Sequence, residues 1–417
     1  MNAEVISVGT ELLLGQVVNT DAAIVAQMLT SLGINLLHTC VVGDNPERLE
    51  AAIELAAGRS DIVIMTGGLG PTEDDLTKET AAAAAGKRLV LDDAAYKRLL
   101  TYFSEENVSE SQKKQAMLPE GCTVFLNDNG TAPGCAFETE QGSRIIMLPG
   151  PPSELAPMME NQVLPYLRKD QQEVIVSHNI HIFGRGEADA AQEMHDLMES
   201  ENPTVAPYAK EGEMFFRVTA KAKTAEAADA LCSPVIDEIV KRLGDVVYGV
   251  DAGSLEKLAV KLLTEQGKKL AVAESCTGGL LAKRITDIPG SSEVFEMGCV
   301  TYSNHVKEQL LAVPSKTLKE HGAVSPETAR AMAEGIRRVS GADLGIGITG
   351  IAGPGGATKD KPVGLVYIAL SDGENTYVSQ RNPFGRTKTR EWHRHCAASQ
   401  ALNMVRRYLT GLKAVES

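Results

Sequence analysis

The sequence has few aromatic residues, no surplus of basic residues and no long apolar run. Aromatic side chains make up 4% of the 417 residues, so aliphatic side chains must fill the cores, as in layered α/β packing. The 41 basic residues stand against 55 acidic ones, and the net charge of −14 argues against binding to nucleic acid or anionic lipid. No apolar run approaches the roughly 18 residues that a bilayer span requires. We therefore expect no membrane association and no direct nucleic-acid partner.

Cysteine chemistry and export signals are also poorly represented. The seven cysteines are odd in number and scattered, without a Cys-x-x-Cys pair, which indicates neither a disulfide framework nor a zinc site. The N-terminus reaches Glu4 at once and lacks a basic region and a cleavage site, so no secretory signal is predicted. We expect a soluble, cytoplasmic protein.

Length and the rhythm of apolar segments predict three domains. A chain of 417 residues is long enough for two to four domains at about 100–200 residues each. Over 1–168, short apolar strands alternate with helical patterns, which favours a largely parallel sheet covered on both faces. Residues 169–250 predict a small α+β unit that serves as a spacer or in oligomerisation. Residues 251–417 predict a second α/β domain, whose first helix Ser254 can cap.

Two turns of the first domain carry candidate binding groups. The loop TGGLGPTEDD (66–75) follows an apolar strand, and its glycines let backbone N–H groups approach a phosphate at a helix N-terminus. Its paired carboxylates suit a hydrated divalent ion that bridges to phosphate oxygens. A plain strand-to-helix turn with acidic residues at the helix start is the alternative. LPGPPSE (148–154) is likewise either a second binding turn or a helix start with prolines fixing φ.

The motif AESCTGG (273–279) lies in the last domain, where an apolar strand meets a helix. It can expose a hydroxyl at the strand end, while we expect the N–H groups from Thr277 to Gly279 to point free at the helix start. This geometry suits a nucleophile, an oxyanion or a phosphate. A Ser/Thr helix cap is the alternative interpretation.

A serine-rich turn, PGSS (289–292), precedes the segment TYSN (301–304), and Lys307 follows. No histidine is conveniently placed as a base, so a hydrolase built here needs another one. Lys307 can serve if burial or a cationic neighbour lowers its pKa from about 10.4 toward neutrality, with Tyr302 relaying or positioning the proton. The alternative is a solvated surface lysine.

A second glycine-rich loop, TGIAGPGG (349–356), leads to KPVG (361–364). Its glycines can let the backbone approach a ligand, although a flexible hairpin loop has the same composition. Arg386, Lys388 and Arg390 precede or begin the final helix and can neutralise a phosphate or simply keep the surface charged.

In the first domain, GTELL (9–13) together with TGGLGPTEDD and LPGPPSE resembles the molybdopterin-binding-like domain of the CinA proteins. The resemblance implies a three-layer fold similar to molybdopterin-cofactor biosynthesis proteins. It also implies metal-dependent hydrolysis of ADP-ribose, with a divalent metal as cofactor and a monovalent cation as a possible second one. The implied nucleotide contacts are Thr66, Gly67, Gly68, Gly70 and Glu154, and the implied metal contacts are Asp74 and Asp75.

The motifs of the last domain together resemble the CinA C-terminal domain, a nicotinamide mononucleotide deamidase. The resemblance implies an α/β serine amidohydrolase with a Ser/Lys dyad and no cofactor. By position Lys307 is the base and Tyr302 its neighbour. Ser275 is favoured as nucleophile because of the N–H donors beside it, and Ser292 is the runner-up or a supporting hydroxyl. The implied substrate contacts are Thr277, Gly278, Gly279, Gly350, Gly353 and Arg390.

The leading interpretation is thus a two-activity enzyme of pyridine-nucleotide salvage, acting on nicotinamide mononucleotide and ADP-ribose. One alternative is that the first domain only binds a nucleotide or a molybdopterin-like ligand. Another is an interaction protein recruited to competence or DNA-damage machinery, which the net charge does not favour if DNA itself is the partner. The resemblance also implies a homodimer.

Overall fold

The computed structural model describes residues 1–30, 32–104, 106–169, 173–210, 212–382 and 388–415. Contacts divide the chain into two compact units. Unit 1 comprises Met1–Val176 and Lys221–Asp229, and unit 2 comprises Ser177–Ala220 and Ala230–Ser417. Within the described residues, no helix combines the length and apolar character needed to cross a bilayer.

Strands and helices alternate through most of unit 1, as the sequence predicts. The elements are β1 (Asn2–Val8), α1 (Thr10–Leu13), α2 (Asp21–Thr30), β2 (Asn35–Val42), α3 (Pro46–Ala57), β3 (Ile62–Thr66), α4 (Thr77–Ala84), β4 (Leu89–Leu91), α5 (Asp93–Leu99), α6 (Glu110–Lys113), β5 (Met117–Pro119), β6 (Thr123–Phe125), β7 (Gly134–Glu138), β8 (Arg144–Leu148), α7 (Pro152–Met158) and α8 (Leu164–Arg168).

The main sheet of unit 1 has the order β2-β1-β3-β8-β7-β6. The first four strands in this order are parallel to one another. Strand β7 pairs antiparallel with β8, and β6 pairs antiparallel with β7. Alternate residues of β3 point to opposite faces: Ile62 and Ile64 join one buried cluster, and Val63 and Met65 join another. Helices cover both faces, which confirms the predicted three-layer arrangement.

Parallel pairing places the binding motifs of unit 1 at one edge of this sheet. The carboxyl ends of β1, β3 and β8 lie side by side, and GTELL, TGGLGPTEDD and LPGPPSE follow them directly. In the order β2-β1-β3, the second and third strands lie on opposite sides of β1, so the strand order reverses there. Such a switch point opens a crevice at the carboxyl ends of the strands.

The remaining strands and helices belong wholly or mostly to unit 2. They are β9 (Val174–Phe183), α9 (Glu187–Glu193), α10 (His195–Met198), β10 (Thr204–Lys210), β11 (Glu213–Ala222), α11 (Ala225–Leu243), β12 (Val247–Val250), α12 (Leu255–Gln266), β13 (Leu270–Glu274), α13 (Leu280–Thr286), β14 (Phe295–Val300), α14 (Asn304–Leu311), α15 (Ser315–Glu320), α16 (Pro326–Ser340), β15 (Leu344–Gly350), β16 (Val366–Ser371), β17 (Thr376–Arg381) and α17 (Arg390–Leu409).

The middle block forms a sheet of order β10-β11-β9-β12. Strand β10 contains Pro207 and was not predicted; it is an edge strand, where a missing N–H donor is tolerated. Phe183 and Tyr248 of this sheet belong to the core cluster of the C-terminal block. Buried Arg284 of α13 also lies 3.6 Å from Glu213 of β11. The middle block therefore packs on the C-terminal block within one compact unit.

The C-terminal block has a five-stranded sheet of order β14-β13-β15-β16-β17. Strands β14, β13 and β15 are parallel, and β16 and β17 are antiparallel. Val272 and Ala271 of β13 belong to clusters on opposite faces, so helices again cover both sides. The carboxyl ends of the three parallel strands bring AESCTGG, TYSN and TGIAGPGG to one edge.

Candidate functional site

A serine and a lysine meet at the carboxyl edge of the five-stranded sheet. Ser275 is the first residue after β13, and its N–H donates to the carbonyl of Ile348 in β15 (3.0 Å), which fixes the turn. Lys307 lies in the first turn of α14, which begins after a side-chain cap by Ser303. Lys307 Nζ is 3.4 Å from Ser275 Oγ.

The Lys307 amine is enclosed by protein. Lys307 is only 1% exposed, so the alternative interpretation, a solvated lysine on the surface, is wrong. Nζ also donates to the carbonyl oxygens of Thr301 (2.8 Å) and Tyr302 (3.3 Å). Burial lowers the pKa of Lys307, because an ammonium ion loses its hydration there. The neutral amine is therefore favoured relative to an exposed lysine.

Two of the three N–H groups that the sequence predicted to be free, those of Gly278 and Gly279, are hydrogen-bonded within the protein. The buried carboxylate of Glu274 accepts three N–H groups at the start of α13, and Gly278 N–H donates to Ser275 O (3.1 Å). The three N–H groups bound by Glu274 belong to Gly279 (3.0 Å), Leu281 (3.1 Å) and Ala282 (2.8 Å). Glu274 thus caps the helix, so the alternative of a Ser/Thr cap is also wrong, and the amides of Gly278 and Gly279 are already used.

Thr277 differs from the expected substrate contact in a similar way. Its side chain is fully buried, and within the described residues its hydroxyl has no hydrogen-bond partner. Its carbonyl accepts two bonds from the Arg394 guanidinium, at 2.6 and 3.0 Å. Thr277 therefore holds α17 against the serine turn and does not present its side chain to solvent.

Two of the glycines of TGIAGPGG, Gly350 and Gly353, are explained by packing of the chain on itself. A Cβ on Gly350 would lie 2.7 Å from the carbonyl oxygen of Leu365, and one on Gly353 would lie 2.6 Å from a methyl group of Val363. These positions exclude a side chain whether or not a ligand is present, so the glycines by themselves do not identify a binding site.

Arg390 links two of the site loops. One guanidinium nitrogen donates to Gly353 O (2.7 Å) and the other to the Tyr302 hydroxyl (3.1 Å). Tyr302 is 60% exposed and reaches Lys307 only through its main-chain carbonyl in the described contacts. A carbonyl can orient the amine but cannot relay a proton, so the relay expected for Tyr302 is not supported. Arg386 lies outside the described residues, and Lys388 Nζ lies 5.0 Å from the Trp392 ring centre.

Ser292 does not join this site. It precedes β14, whose first residue Phe295 pairs with Leu270 at the start of β13. Ser275 follows the other end of β13. The two serines therefore lie at opposite ends of the strands, on the order of 15 Å apart at about 3.3 Å per residue. The structure brings Lys307 to Ser275 instead.

A cavity of about 470 Å³ lies at the carboxyl edge of the unit 1 sheet. All the nucleotide and metal contacts expected from the sequence line it: Thr66, Gly67, Gly68, Gly70, Asp74, Asp75 and Glu154. Gly67 has a φ of 92°, and a Cβ there would collide with the carbonyl oxygen of Val8, so the tight turn requires glycine. The two turns of the first domain thus form one site.

Several carboxylates of the cavity already have hydrogen-bond partners. Asp75 accepts from the amide (2.9 Å) and the hydroxyl of Thr72, and Glu154 accepts from the Asn127 side chain at 2.6 Å. Asp74 is exposed. These bonds hold Asp75 and Glu154 in place. A hydrogen bond with the Thr72 side chain lowers the pKa of Asp74, which is nevertheless the most exposed of the three.

Three further acidic residues of the cavity were not expected, namely Glu11, Asp21 and Asp44. Asp44 accepts from the N–H (2.9 Å) and the hydroxyl (2.7 Å) of Thr10. Burial raises the pKa of Asp21 to about 6, although a hydrogen bond with Thr66 partly opposes the rise. In the sequence, Glu11 stands within the motif GTELL, and Asp21 ends the polar run Asn19-Thr20-Asp21 at the start of α2.

The cavity suits a divalent cation that keeps several water ligands better than one coordinated entirely by protein side chains. In the described part of the chain, no group of three or more His, Cys, Asp or Glu side chains is arranged to hold a metal. Carboxylate oxygens nevertheless line the cavity, and Mg²⁺ is commonly held by one or two carboxylates together with waters and substrate phosphates. Asp74 is the accessible ligand of this kind.

Three family models match the chain. They are the "CinA C-terminal domain" over residues 252–409, the "Probable molybdopterin binding domain" over 4–169 and the "Damage-inducible protein CinA KH domain" over 177–249. A "CinA-like protein" of Desulfovibrio desulfuricans is 55% identical over 412 residues, which cover 99% of this chain and 97% of the relative. The chain belongs to the CinA family. The resemblance inferred from the motifs and the three-domain α/β fold class are thereby confirmed.

The chain is also similar to a second curated protein and to a solved structure. A second "CinA-like protein", from Dictyoglomus turgidum, is 47% identical over 416 residues, covering 99% of this chain and 100% of the relative. Among solved structures, the "competence/damage inducible protein CihA" of Agrobacterium tumefaciens is 40% identical, with a TM-score of 0.36, and covers 37% of this chain and 95% of its own.

Proposed function

We propose that the C-terminal domain of this CinA protein hydrolyses the carboxamide of nicotinamide mononucleotide to nicotinic acid mononucleotide and ammonia. The observation that carries the proposal is the contact of the buried Lys307 amine with the Ser275 hydroxyl. The resemblance of the motifs to the CinA deamidase domain supplies the substrate.

The neighbours of Lys307 orient its amine for proton transfer. A neutral amine has two N–H groups and one lone pair, and carbonyl oxygens can only accept hydrogen bonds. The carbonyls of Thr301 and Tyr302 can take the two N–H groups. The third neighbour, the Ser275 hydroxyl, can donate its proton, so the lone pair faces the group from which a base must take a proton.

The proposed reaction begins when Ser275 Oγ attacks the amide carbon and passes its proton to Lys307. Protonated Lys307 then delivers a proton to the departing nitrogen, which leaves as ammonia, and an acyl-serine ester remains. The neutral amine next takes a proton from water while the water oxygen bonds to the acyl carbon. The bond from that carbon to Ser275 Oγ then breaks, Lys307 returns its proton to Ser275 Oγ, and the free acid leaves. Arg390 offers its guanidinium to the nucleotide phosphate. Since side chains and water handle each proton, the activity should persist in EDTA.

The test is incubation of the purified full-length chain with nicotinamide mononucleotide in EDTA, followed by assays for ammonia and for nicotinic acid mononucleotide. The two products should appear in equal amounts. Nicotinic acid mononucleotide as substrate is the control and should release no ammonia. Absence of both products with a folded protein would overturn the proposal.

For the N-terminal domain we propose metal-dependent hydrolysis of ADP-ribose. The supporting observation is the single cavity that combines the glycine-rich loop with carboxylates. Its volume falls within the roughly 300–1,000 Å³ that is usual for small-ligand sites. A divalent cation, when bound through Asp74, would neutralise charge on the diphosphate. Gly67 N–H already donates to Leu148 O (3.0 Å), so in this proposal the phosphates approach the backbone of Gly68 and Gly70, with Asp74 in the same cavity wall.

This second activity is tested by adding ADP-ribose to the EDTA-dialysed protein before and after restoring Mg²⁺, with and without K⁺. AMP should form only with Mg²⁺, and Asp74→Asn should need a higher Mg²⁺ concentration. No AMP under any condition would favour the alternative in which the domain only binds a nucleotide or a molybdopterin-like ligand. The homodimer, the domain boundaries and a role through competence or DNA-damage partners stay predictions.

A further inference from the structure

We propose that Asp21 is the residue of the N-terminal site that accepts the proton of the water attacking the diphosphate of ADP-ribose. The inference rests on the pyrophosphatase activity proposed above and deepens it, because none of the motifs assigned a base to this cavity.

The position of Asp21 places a carboxyl group beside the expected phosphate loop. Asp21 is the first residue of the ten-residue helix α2, it is half-buried, and it lines the cavity together with Gly67 and Gly68. Its carboxyl hydrogen-bonds with the side chain of Thr66, the last residue of β3 before those glycines. A water held between Asp21 and a phosphate in the loop is therefore within reach of both.

The Thr66 side chain beside this carboxyl is itself held in place. Asn19 Nδ2 donates to Ser7 Oγ (3.0 Å), and the Thr66 hydroxyl donates to the same Ser7 Oγ (3.3 Å). These bonds fix the side chain that neighbours Asp21 at the end of β3. An ionised carboxylate has two oxygens that only accept, so Asp21 keeps lone pairs for a donor in the cavity.

The charges around Asp21 are compatible with this role. The other titratable groups that line the cavity are Glu11 of α1, Asp44 after β2, Asp74 and Asp75 after β3, and Glu154 of α7. Burial raises the pKa of Asp21 to about 6, so the group is a stronger base than an ordinary carboxylate and is still ionised at neutral pH. A general base is most effective when its pKa lies near the working pH.

The step balances without another reactant. The water oxygen forms a bond to one phosphorus atom and gives one proton to Asp21, while the bond from that phosphorus to the bridging oxygen breaks. The bridging oxygen keeps the electron pair and leaves as part of a phosphate monoester. The products are AMP and ribose 5-phosphate, and Asp21 then releases its proton to solvent.

The test compares the full-length wild type with Asp21→Asn, which keeps the shape of the side chain. With Mg²⁺ and ADP-ribose, we expect kcat to fall about 100-fold or more, within the range of general-base effects, and KM to stay within about twofold. Asp21→Asn should bind ADP-ribose at least as tightly as wild type does, as measured by calorimetry in EDTA. Asp93→Asn is the matched control, because Asp93 is an exposed first residue of α5, and it should change neither quantity.

A second variant, Asp21→Ser, guards against misfolding of the first. Sodium formate should restore part of its kcat, because a small carboxylate can replace the lost base, and the fall in wild-type kcat/KM below about pH 6 should be absent in both variants. An inactive wild type overturns the pyrophosphatase together with this inference. An active wild type with an unaltered kcat in Asp21→Asn, or with its loss confined to KM and binding, overturns the role of Asp21 alone.

Discussion

Replacing Lys307 by methionine removes the amine next to Ser275 but keeps an unbranched side chain in a fully buried place. The carbonyl of Thr301, a fully buried residue, then loses its 2.8 Å bond from the amine. An unsatisfied buried acceptor costs about 1–3 kcal/mol, partly offset because no amine has to be buried. At about 2–4 °C per kcal/mol for large domains, the melting temperature should fall by less than about 12 °C, and the variant should remain folded at 25 °C.

The loss of activity should be much larger than the loss of stability. General bases contribute about 10²–10⁴ in rate, so we expect ammonia release from nicotinamide mononucleotide to fall at least 100-fold in Lys307→Met. Because burial lowers the pKa of Lys307 and only the neutral amine acts as a base, wild-type kcat/KM should rise with pH, and the residual activity of the variant should lack that rise. Lys316→Met, at an 80% exposed side chain, is the control. Turnover within tenfold of wild type in folded Lys307→Met would refute the dyad.

Three further variants test other parts of the structure. Glu274→Gln removes an acceptor oxygen from a carboxylate that binds three N–H groups, so unfolding should become easier by about 2–4 kcal/mol in urea, and an unchanged midpoint would contradict the cap. Burial lowers the pKa of Lys78 to about 8, whereas an unfolded lysine titrates near 10.4, so the unfolded chain binds more protons between these values and stability should rise with pH there. Lys78→Met should flatten that rise, and parallel stability curves would contradict the reasoning. Arg390→Gln should raise KM for nicotinamide mononucleotide about tenfold with little change in kcat, and an unaltered KM would exclude a phosphate contact.

Much of the fold could be predicted because apolar runs and turn residues report local structure directly. The parallel strands β1, β2 and β3 of unit 1 read as short apolar segments between helical patterns, and the motifs followed strands, which places them at the carboxyl edge of a parallel sheet. Ser275 and the segment before Lys307 also follow parallel strands, which is why the structure brings them to the same end of the sheet; the sequence had linked them through the family resemblance.

Ser292, the runner-up nucleophile under the family resemblance, precedes a strand. Parallel pairing therefore places it at the opposite end of the strands from Ser275. The prediction that the N–H groups of Gly278 and Gly279 are free was wrong for another reason. A carboxylate immediately before a turn can fold back to accept its N–H groups, and a sequence pattern does not distinguish this from a turn whose donors face a ligand.

Asp21 and Asp44 were missed because neither stands in a glycine-rich motif. Their place in the cavity depends on the approach of several loops that are far apart in sequence. The packing of the middle sheet on the C-terminal core likewise depends on residues such as Arg284 and Glu213, whose burial as a charged pair is a product of tertiary contact. Composition and periodicity carry no signal for such contacts.

The central claim is that Ser275, activated by Lys307, is the nucleophile of an amidohydrolase. Ammonia release from nicotinamide mononucleotide in EDTA, measured for folded Ser275→Ala and Ser292→Ala beside wild type, tests it most directly. We predict that Ser275→Ala loses at least 99% of the wild-type rate, a roughly 100-fold effect or more, whereas Ser292→Ala keeps most of it. Retained activity in Ser275→Ala, or a loss confined to Ser292→Ala, would contradict the account.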